Sequence, residues 1–347
     1  MKDLMRILGI FTVFVIAIPM LGFFTGRDKP DNAAKSDETT VSETSAAAET
    51  AMTAENPEAL PPADEKFKVL DFTSGQVITM TMRDYVIGAV LGEMPATYNT
   101  EALKAQAVAA HTYAVRRKQQ QLEAPDPELM GAYISNDSTK FQAYFTPEQA
   151  KSFYGSGYDE YNKKVAAAVD DVINEILVYN GEPIVAAFHA MSSGKTESAE
   201  VVWGNAVDYL VPVESEEDRS APTFKEEKTF TADELSARLT ESGYGITLPD
   251  DKSEWIKIES VSDSGTVLKV SAGDKTLSGM EMRLLLDLRS ACFTVEYDGG
   301  SFVFTSEGNG HGVGMSQYGA NAMAEKGSSY KEILLYYYKG AEIEELA

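Results

Sequence analysis

The chain has 347 residues and a formal net charge of -24 at pH 7. A chain of this length can bury a substantial core, and its strong negative charge argues against a nucleic-acid partner because the phosphate backbone is also negative. The single cysteine excludes an internal disulfide framework and a cysteine-rich zinc site.

The first segment is typical of a membrane anchor. Lys2 and Arg6 precede an apolar run over residues 7–24, close to the roughly 20 residues that cross a bilayer. Basic residues before such a run remain in the cytoplasm. Residues 1–26 are therefore predicted to form a cytoplasmic stub and a transmembrane helix of a single-pass protein in the cell membrane, with the rest on the extracytoplasmic side. A cleaved signal peptide is the alternative.

The next segment, residues 27–66, is rich in Ala, Ser, Thr, Glu and Asp and has few large apolar residues. Such a composition cannot bury enough apolar surface to offset the entropy of ordering, which predicts a disordered linker. Residues 67–347 form the predicted folded domain, in which residues about 212–287 could make a smaller lobe.

Strand and helix signals alternate in this domain and predict an α+β fold, with a mostly antiparallel sheet and packed helices. Apolar residues at helical spacing predict helices over residues 82–93, 100–121 and 147–174, the last with a glycine-rich break. Pro95 ends the first of these.

Turn and cap signals organise the remainder of the domain. Asn180-Gly181 and Asp298-Gly299-Gly300 predict hairpin turns. The predicted strands are residues 76–82, 176–179, 183–189, 293–297 and 302–305, with two more within residues 255–270. Helix starts are predicted at the capping residues Thr231, Ser278 and Ser329, the last helix ending at Gly340.

Glu93 is the candidate catalytic acid. It lies at the C-terminal end of an apolar helix, where the helix dipole and partial desolvation both disfavour an ionised carboxylate. Both effects raise the pKa, as a general acid near neutral pH requires. A solvated glutamate at a helix end, without catalytic importance, is the alternative.

The alanine-rich helix that follows carries two candidate substrate-binding residues. Gln106 and Tyr113 are two turns apart and share one face, with Ala110 between them. That face either contacts the substrate or forms a tight seam for helix packing. His111 points in another direction.

A second polar segment follows a predicted strand. Ser192, Ser193 and Gly194 make a tight turn with two hydroxyls, and Thr196 follows closely. Such a turn can bind sugar hydroxyls or carboxylates through its hydroxyl and backbone N–H groups. An ordinary Ser/Gly turn is the alternative.

The third segment, residues 308–320, has five glycines around His311. A loop so rich in glycine lets the backbone approach a ligand closely, and the helix that begins near Met315 offers N–H groups. Candidate binding residues here are His311, Gly312, Gly314, Ser316 and Gln317. A flexible turn is equally compatible with this pattern.

All three histidines, His111, His189 and His311, lie in these three segments. Three histidines can bind a catalytic zinc ion, but none has the spacing of a compact zinc motif. A cleft built from the three segments explains their placement equally well. We therefore predict no metal and no cofactor, and we count His189 among the substrate-binding residues.

Together the segments resemble the stage II sporulation protein D family. The matching phrases follow the family's order along nearly the whole domain, at residues 85–95, 101–114, 188–204 and 310–320. The resemblance implies a lytic transglycosylase, which cleaves peptidoglycan between N-acetylmuramic acid and N-acetylglucosamine and leaves 1,6-anhydro ends. It assigns catalysis to the glutamate before Met-Pro, here Glu93, and glycan binding to the Ser/Gly and His/Gly loops.

The resemblance further implies action on denuded glycan strands during sporulation engulfment, in complex with stage II sporulation proteins P and M. This sequence departs from the family at His111, where arginine is usual. It also lacks the Cys/His zinc site that some members carry, since residues 133–150 contain neither residue type. The alternatives are a non-catalytic amidase enhancer that binds the wall and a muramidase that uses water.

Overall fold

The computed structural model describes residues 62–346. The predicted transmembrane helix and most of the predicted linker lie outside the described residues. Within residues 62–346, no helix combines the length and the apolar character that crossing a membrane requires.

Helices and short strands alternate along the described part of the chain. The helices are α1 (Met82–Glu93), α2 (Thr100–Glu123), α3 (Pro147–Tyr154), α4 (Tyr158–Asp170), α5 (Ala199–Trp203), α6 (Ala232–Thr240), α7 (Gly279–Leu286), α8 (Gln317–Glu325) and α9 (Tyr330–Tyr337). The strands are β1 (Lys66–Asp71), β2 (Gln76–Thr81), β3 (Ile134–Ser135), β4 (Glu175–Tyr179), β5 (Glu182–Pro183), β6 (Phe188–His189), β7 (Lys225–Thr231), β8 (Ile256–Val261), β9 (Val267–Ala272), β10 (Lys275–Leu277), β11 (Phe293–Tyr297), β12 (Ser301–Glu307), β13 (Met315–Ser316) and β14 (Glu342–Glu345).

The strands form five small sheets within residues 62–346. Among these strands, only the pairs β1–β3 and β6–β13 are parallel, and the others are antiparallel. The predicted α+β class, with mostly antiparallel sheets and packed helices, is confirmed.

The larger hydrophobic core surrounds α1 and α2. Helix α1 is buried along nearly its whole length, and the N-terminal half of α2 is buried as well. Alanine side chains are short, so α1, α4, α8, α9 and β4 all approach α2 closely. The buried alanines of α2 are Ala102, Ala105, Ala107, Ala109, Ala110 and Ala114.

A second hydrophobic core is built from β7 to β12 together with α6 and α7. Trp255 stacks on Phe302 at its centre, with ring centroids 5.5 Å apart and an interplanar angle of 8°. This core extends beyond residue 287, because the hairpin β11–β12 pairs with β7. We call residues 225–307 the inserted lobe, since the chain leaves and rejoins the larger core at one place, where the Gly308 N–H donates to the Phe224 carbonyl at 2.8 Å.

The local signals match the structure closely. Reciprocal capping boxes open three helices at Thr231, Ser278 and Ser329, and Asn180 and Gly181 adopt the positive φ angles of a type I′ turn. Several boundaries differ from the predictions; the predicted helix over residues 147–174, for example, ends at Asp170. Two of the differences have a clear cause in the hydrogen bonding. The predicted strand over residues 183–189 is divided into β5 and β6, because the Ala187 carbonyl instead accepts the Met315 N–H of the third segment.

The last helix is the second difference. It ends at Tyr337, three residues before the predicted Gly340. Tyr338 leaves the helical conformation, and its hydroxyl donates to the Ala187 carbonyl at 2.8 Å. This contact directs the chain toward β14, which pairs with β4.

Candidate active site

Glu93 is the last residue of α1, and only 7% of it is exposed. Its Oε1 accepts a hydrogen bond from the Ala143 N–H at 2.5 Å, and its Oε2 accepts none from residues 62–346. Burial raises the pKa of Glu93 to about 8, and the Ala143 hydrogen bond opposes this rise. The carboxyl is therefore mostly protonated at pH 7, which is the state that a general acid requires. The rise in pKa expected from the sequence is present, with burial as its cause.

The segment that covers Glu93 is residues 142–145, which we call the strap. Two glycines of α1 admit it, Gly88 and Gly92, which lie one turn apart. A Cβ atom on Gly88 would come within 2.4 Å of Tyr144 Cε2 and 2.6 Å of the Phe145 carbonyl oxygen. The Phe145 N–H donates to the Gly88 carbonyl at 3.0 Å. The strap can therefore pack this closely against α1 only because Gly88 has no side chain.

Tyr85 of α1, Tyr113 of α2 and Gln142 of the strap lie near Glu93. Gln142 Nε2 donates to the Tyr85 hydroxyl at 2.7 Å. Burial raises the pKa of both Tyr85 and Tyr113, and the nearby charge of Glu93 adds to each rise. The structure thus places the predicted Tyr113 next to the candidate acid, whereas Tyr85 and Gln142 were not predicted.

Gln106 and Gln317 connect the first and third segments. Gln317 Nε2 donates to Gln106 Oε1 at 3.3 Å, across 211 positions of sequence. Both side chains are buried, and Gln106 Nε2 has no hydrogen-bond partner among the described residues. The fold therefore brings these two candidate residues into contact.

Ser192 and Ser316 converge on Asp218, a fully buried carboxylate. Asp218 Oδ2 accepts from the Ser192 N–H at 2.7 Å and from Ser192 Oγ at 2.6 Å, and its Oδ1 accepts from Ser316 Oγ at 2.8 Å. Burial raises the pKa of Asp218 to about 6, and these hydrogen bonds oppose the rise. The protons of both hydroxyls are thus donated within the protein, and they fix the second segment to the third.

The sequence around Asp218 gives no sign that this residue is buried. It follows Glu216 and Glu217, and a run of acidic residues is usually solvated. In the structure it alone of the three is buried.

Ser193, Gly194 and Thr196 shape the loop between the two cores. Ser193 Oγ donates to the Ser264 carbonyl of the inserted lobe at 2.7 Å, and Thr196 Oγ1 accepts from the Val213 N–H at 2.9 Å. Gly194 has a φ of 105°, and a Cβ atom there would lie 2.3 Å from Arg219 Nε. The three residues occupy the predicted loop, where the hydroxyls of Ser193 and Thr196 already have protein partners.

His189 and His311 are neighbours, with ring centroids 5.7 Å apart. His189 Nδ1 lies 3.1 Å from the Val313 carbonyl oxygen and therefore carries the proton, whereas His311 Nδ1 accepts from the Val313 N–H at 3.0 Å. His189 Nε2 is then an acceptor and His311 Nε2–H a donor, and neither has a hydrogen-bond partner among the described residues. The Trp203 ring lies 5.7 Å from that of His311.

Both histidines are neutral at pH 7. Burial lowers the pKa of His189 to about 4 and holds that of His311 well below its ordinary value. The pair therefore carries no charge and offers one buried acceptor and one buried donor.

The glycines of the third segment, residues 308–320, allow its backbone to pack against the backbone of the second segment. β13 pairs with β6 in parallel, so that Ser316 is opposite His189. Gly314 has a φ of 74°, and a Cβ atom there would lie 2.0 Å from the Ala187 carbonyl oxygen. Gly312 also has a positive φ, and its Cβ position is 3.5 Å from that of Glu197.

The third histidine does not join the other two. His111 Nδ1 lies 3.2 Å from the carbonyl oxygen of Glu175, in β4. In residues 62–346, no group of three His, Cys, Asp or Glu side chains is arranged to hold a metal ion.

The comparisons with known proteins agree with one another. A family model described as "Stage II sporulation protein" matches residues 72–179, which include Glu93 and the strap. The chain is 41% identical to stage II sporulation protein D of Bacillus subtilis, over 78% of this chain and 76% of that protein. It is 38% identical to the protein of the same name from Bacillus amyloliquefaciens, over 78% of this chain and 76% of that protein.

A more distant match is the amidase enhancer of Bacillus subtilis, which is 29% identical over 74% of this chain and 40% of that protein. The matches at 41% and 38% identity cover most of both chains. This chain therefore belongs to the stage II sporulation protein D family.

Proposed function

We propose that this protein is a lytic transglycosylase that cleaves the bond between N-acetylmuramic acid and N-acetylglucosamine in denuded peptidoglycan strands during sporulation engulfment. The observation that carries the proposal is the carboxyl of Glu93, which burial keeps protonated at neutral pH at the end of α1. Glu93 is the catalytic acid of the proposed reaction.

The proposed reaction returns its proton to Glu93. The carboxyl donates its proton to the glycosidic oxygen as the bond from that oxygen to C1 of N-acetylmuramic acid breaks. The C6 hydroxyl oxygen of the same sugar then bonds to C1, and its proton passes to the Glu93 carboxylate. The products are a 1,6-anhydro end and a free hydroxyl on the leaving sugar, and no water is consumed.

The proposed mechanism uses a single acid. Ordinary glycosidases need a second carboxylate about 5 to 9.5 Å from the acid, to activate water or to attack the sugar. No charged group among the described residues contributes to the raised pKa of Glu93. An internal hydroxyl nucleophile removes the need for a second carboxylate.

The proposed glycan-binding residues come from all three polar segments. The free acceptor of His189 and the free donor of His311 suit hydroxyl or acetamido groups of a sugar. Gln106 and Tyr113 belong to the same proposed surface. The Asp218 hydrogen bonds to Ser192 and Ser316 hold the two loops in register.

The proposed setting is the extracytoplasmic face of the cell membrane. The apolar run over residues 7–24 anchors the protein there, and the predicted linker over residues 27–66 gives the domain its reach toward the wall. The last residues of that predicted linker belong to the fold, since Pro62–Asp64 form a short 3-10 helix and β1 begins at Lys66. Stage II sporulation proteins P and M are the proposed partners, and the reaction uses no cofactor and no metal.

Mass spectrometry of digested glycan tests this function. Full-length protein in detergent is incubated with denuded strands, beside its Glu93→Gln variant. We expect anhydro-ended fragments from the wild type alone. Reducing-ended fragments would identify a muramidase. Anhydro-ended fragments from the variant would show that Glu93 is not the catalytic acid.

A second candidate function rests on the amidase enhancer, the relative at 29% identity. A non-catalytic member would hold the glycan while another enzyme cuts. In that case the strands remain intact with a folded preparation, and both the wild type and Glu93→Gln stimulate a wall amidase equally. Cleavage by the wild type alone would reject this candidate.

A further inference from the structure

The two oxygens of the Glu93 carboxyl have different surroundings. Oε1 accepts a hydrogen bond from the Ala143 N–H at 2.5 Å. Oε2 accepts none from residues 62–346, and it does not belong to the buried side-chain atoms of these residues that lack a partner. Since 7% of Glu93 is exposed, Oε2 is the oxygen that a substrate can reach.

The strap holds the Ala143 N–H in a fixed position. Before it in the chain, Gln142 Nε2 donates to the Tyr85 hydroxyl at 2.7 Å. After it, the Phe145 N–H donates to the Gly88 carbonyl at 3.0 Å. Both sides of this donor are thus bonded to α1, so that it needs no reorganisation during a proton transfer.

Gly92 lets the backbone of the strap come close to the acid. A Cβ atom on Gly92 would lie 3.4 Å from backbone atoms of residues 143–145, so the strap crosses α1 one residue before Glu93. The group that donates to the carboxyl is therefore part of the backbone. A change of side chain at Ala143 does not remove it.

An N–H donor makes the two oxygens of a carboxyl unequal. In the protonated group, the carbonyl oxygen accepts hydrogen bonds and the hydroxyl oxygen carries the proton. Because Oε1 of Glu93 accepts the Ala143 N–H, Oε1 takes the carbonyl role and the proton lies on Oε2. After the proton leaves, the same N–H donates to a charged oxygen, and such hydrogen bonds are roughly twice as strong as those between neutral groups.

We propose that Ala143 is a positioning residue for the reaction: its N–H places the transferable proton of Glu93 on Oε2 and stabilises the carboxylate that proton donation leaves behind. Oε2 gives its proton to the glycosidic oxygen as the bond from that oxygen to C1 breaks. It recovers a proton from the C6 hydroxyl as the C6 oxygen bonds to C1. The hydrogen bond to Oε1 persists through both transfers. This inference rests on the proposed role of Glu93.

The other titratable and charged groups around this site lie on α1 to α4 and on the strap. They are Asp84 and Tyr85 on α1, Tyr113 and Arg117 on α2, Tyr144 on the strap, Glu148 on α3 and Lys164 on α4. The three phenols keep their protons below pH 9, because burial raises the pKa of each. No charged group is among the causes of the raised pKa of Glu93.

The first test needs no substrate. The carboxyl carbon of Glu93 and the amide proton of Ala143 are followed by NMR from pH 5 to 9 in the full-length protein. We expect the Ala143 amide proton to move downfield with the same midpoint as the Glu93 carbon, because its hydrogen bond strengthens as the carboxyl becomes charged. The movement should be absent in Glu93→Gln. An Ala143 signal that does not follow the ionisation of Glu93 would overturn the proposal.

A backbone ester removes the donor and leaves every side chain unchanged. Lactic acid is incorporated in place of Ala143, so that an oxygen replaces the N–H group. The control is the same replacement at Ala124, whose N–H donates to the Gln120 carbonyl at 2.8 Å, at the end of α2. We expect the ester at Ala143 to raise the pKa of Glu93 by about one unit, as follows from losing one hydrogen bond to a charged group. The control should keep the wild-type pKa, and equal values in the two proteins would contradict the proposal.

Ala143→Pro and Ala143→Gly form a second pair, because proline lacks the N–H and glycine keeps it. The proline variant should reproduce the rise in the pKa of Glu93, and the glycine variant should not. If the ester protein does not fold, this pair and the wild-type titration decide the outcome. An equal rise in both variants would assign the effect to the packing of the strap and overturn the role of the N–H.

Glycan cleavage is measured separately. We expect the ester at Ala143 to lower kcat about tenfold, which corresponds to one unit of pKa expressed in the transition state. KM should stay unchanged, because the N–H contacts Glu93 and not the glycan. Coupled titration in a wild type that cleaves no glycan would reject the proposed function alone. Cleavage by a wild type in which the Ala143 and Glu93 signals titrate independently would reject the positioning role alone.

Discussion

The Ala143 N–H lies 2.5 Å from Glu93 Oε1, although the two residues are 50 positions apart. This contact is the hydrogen bond that the candidate acid receives from the described residues. It favours the charged carboxylate, while burial favours the protonated carboxyl by a larger amount. The balance of the two effects leaves Glu93 able both to give up and to recover a proton near neutral pH.

The raised pKa of Glu93 makes a prediction about stability. Its value is 4.5 in an unperturbed chain and about 8 in the fold, so the folded state holds the proton more tightly than the unfolded state. The resulting stabilisation is fully present below pH 4.5 and is lost as the pH rises through 8, with a limiting slope of about 1.4 kcal/mol per pH unit.

Glu93→Gln has no such proton to lose. Its melting temperature should therefore rise relative to that of the wild type as the pH increases from 5 to 9, as measured by calorimetry. Glu200→Gln, at an exposed position of α5, is the control and should show a constant difference. A constant difference for Glu93→Gln would mean that the folded protein already holds an ionised carboxylate.

Gly88 and Gly92 offer a matched pair of substitutions on one helix. The Cβ atom of Gly88→Ala would clash with Tyr144 and with the Phe145 carbonyl, whereas that of Gly92→Ala would meet its nearest atoms at 3.4 Å. We expect Gly88→Ala to lower the free energy of unfolding by about 1–3 kcal/mol and to impair cleavage by displacing the strap. Gly92→Ala should stay within about 1 kcal/mol of the wild type. Urea unfolding followed by circular dichroism measures both, and equal effects would contradict the packing described for the strap.

Asp218 and Glu217 form a second matched pair, adjacent in sequence. Asp218→Ala leaves the donors of Ser192 and Ser316 buried without their acceptor, which should cost about 3 kcal/mol or more of stability. Glu217→Ala removes a partly exposed ion pair with Lys326, worth about 0–1 kcal/mol. Chemical denaturation separates the two cases. Similar small losses in both variants would show that Asp218 does not hold the loops together.

His311 should affect glycan binding without affecting the acid. In a Glu93→Gln background, which prevents cleavage, His311→Ala should weaken the binding of glycan fragments about fivefold, the worth of one neutral hydrogen bond. His111→Ala is the control, because it removes a buried ring on the β4 side of α2 and should lower stability while affinity persists. Calorimetric titration gives both affinities. Equal losses of affinity in the two variants would mean that the His311 loop has only a structural role.

The low pKa values of His189 and His311 add a condition to that experiment. His189 stays neutral from pH 5.5 to 8 because its pKa is about 4, and the lowered pKa of His311 favours its neutral form as well. The affinity for uncharged glycan fragments should therefore be flat over this interval. A marked change in affinity near pH 6.5 would indicate that one of them titrates in its ordinary range.

Local sequence signals predicted much of this fold. The position of Glu93 at a helix end, the capping boxes at Thr231 and Ser329, and the turn at Asn180 are each set by residues a few positions apart, and the structure contains all of them. The alanine-rich face with Gln106 is also visible in sequence, because helical spacing places these residues together.

The contacts of the strap could not be predicted in this way. Gln142 contacts Tyr85 across 57 positions, and although Tyr85 begins the first family phrase, Gln142 belongs to no periodic pattern or recognisable motif. Asp218 could not be predicted either, because the acidic residues before it, Glu216 and Glu217, suggested a solvent-exposed surface. The one available signal was the pair Gly88 and Gly92, since two glycines one turn apart in a buried helix indicate that another segment comes close.

The path of the chain through the inserted lobe has a consequence for how this family can vary. The two connections to the lobe lie side by side, with the Gly308 N–H bonded to the Phe224 carbonyl. The segments of the candidate site, from Glu93 to Ser192 and from His311 to Gln317, all belong to the chain outside these connections. The outer strands of the lobe could therefore tolerate an insertion or deletion without a shift in the register between β6 and β13, which holds the candidate site together.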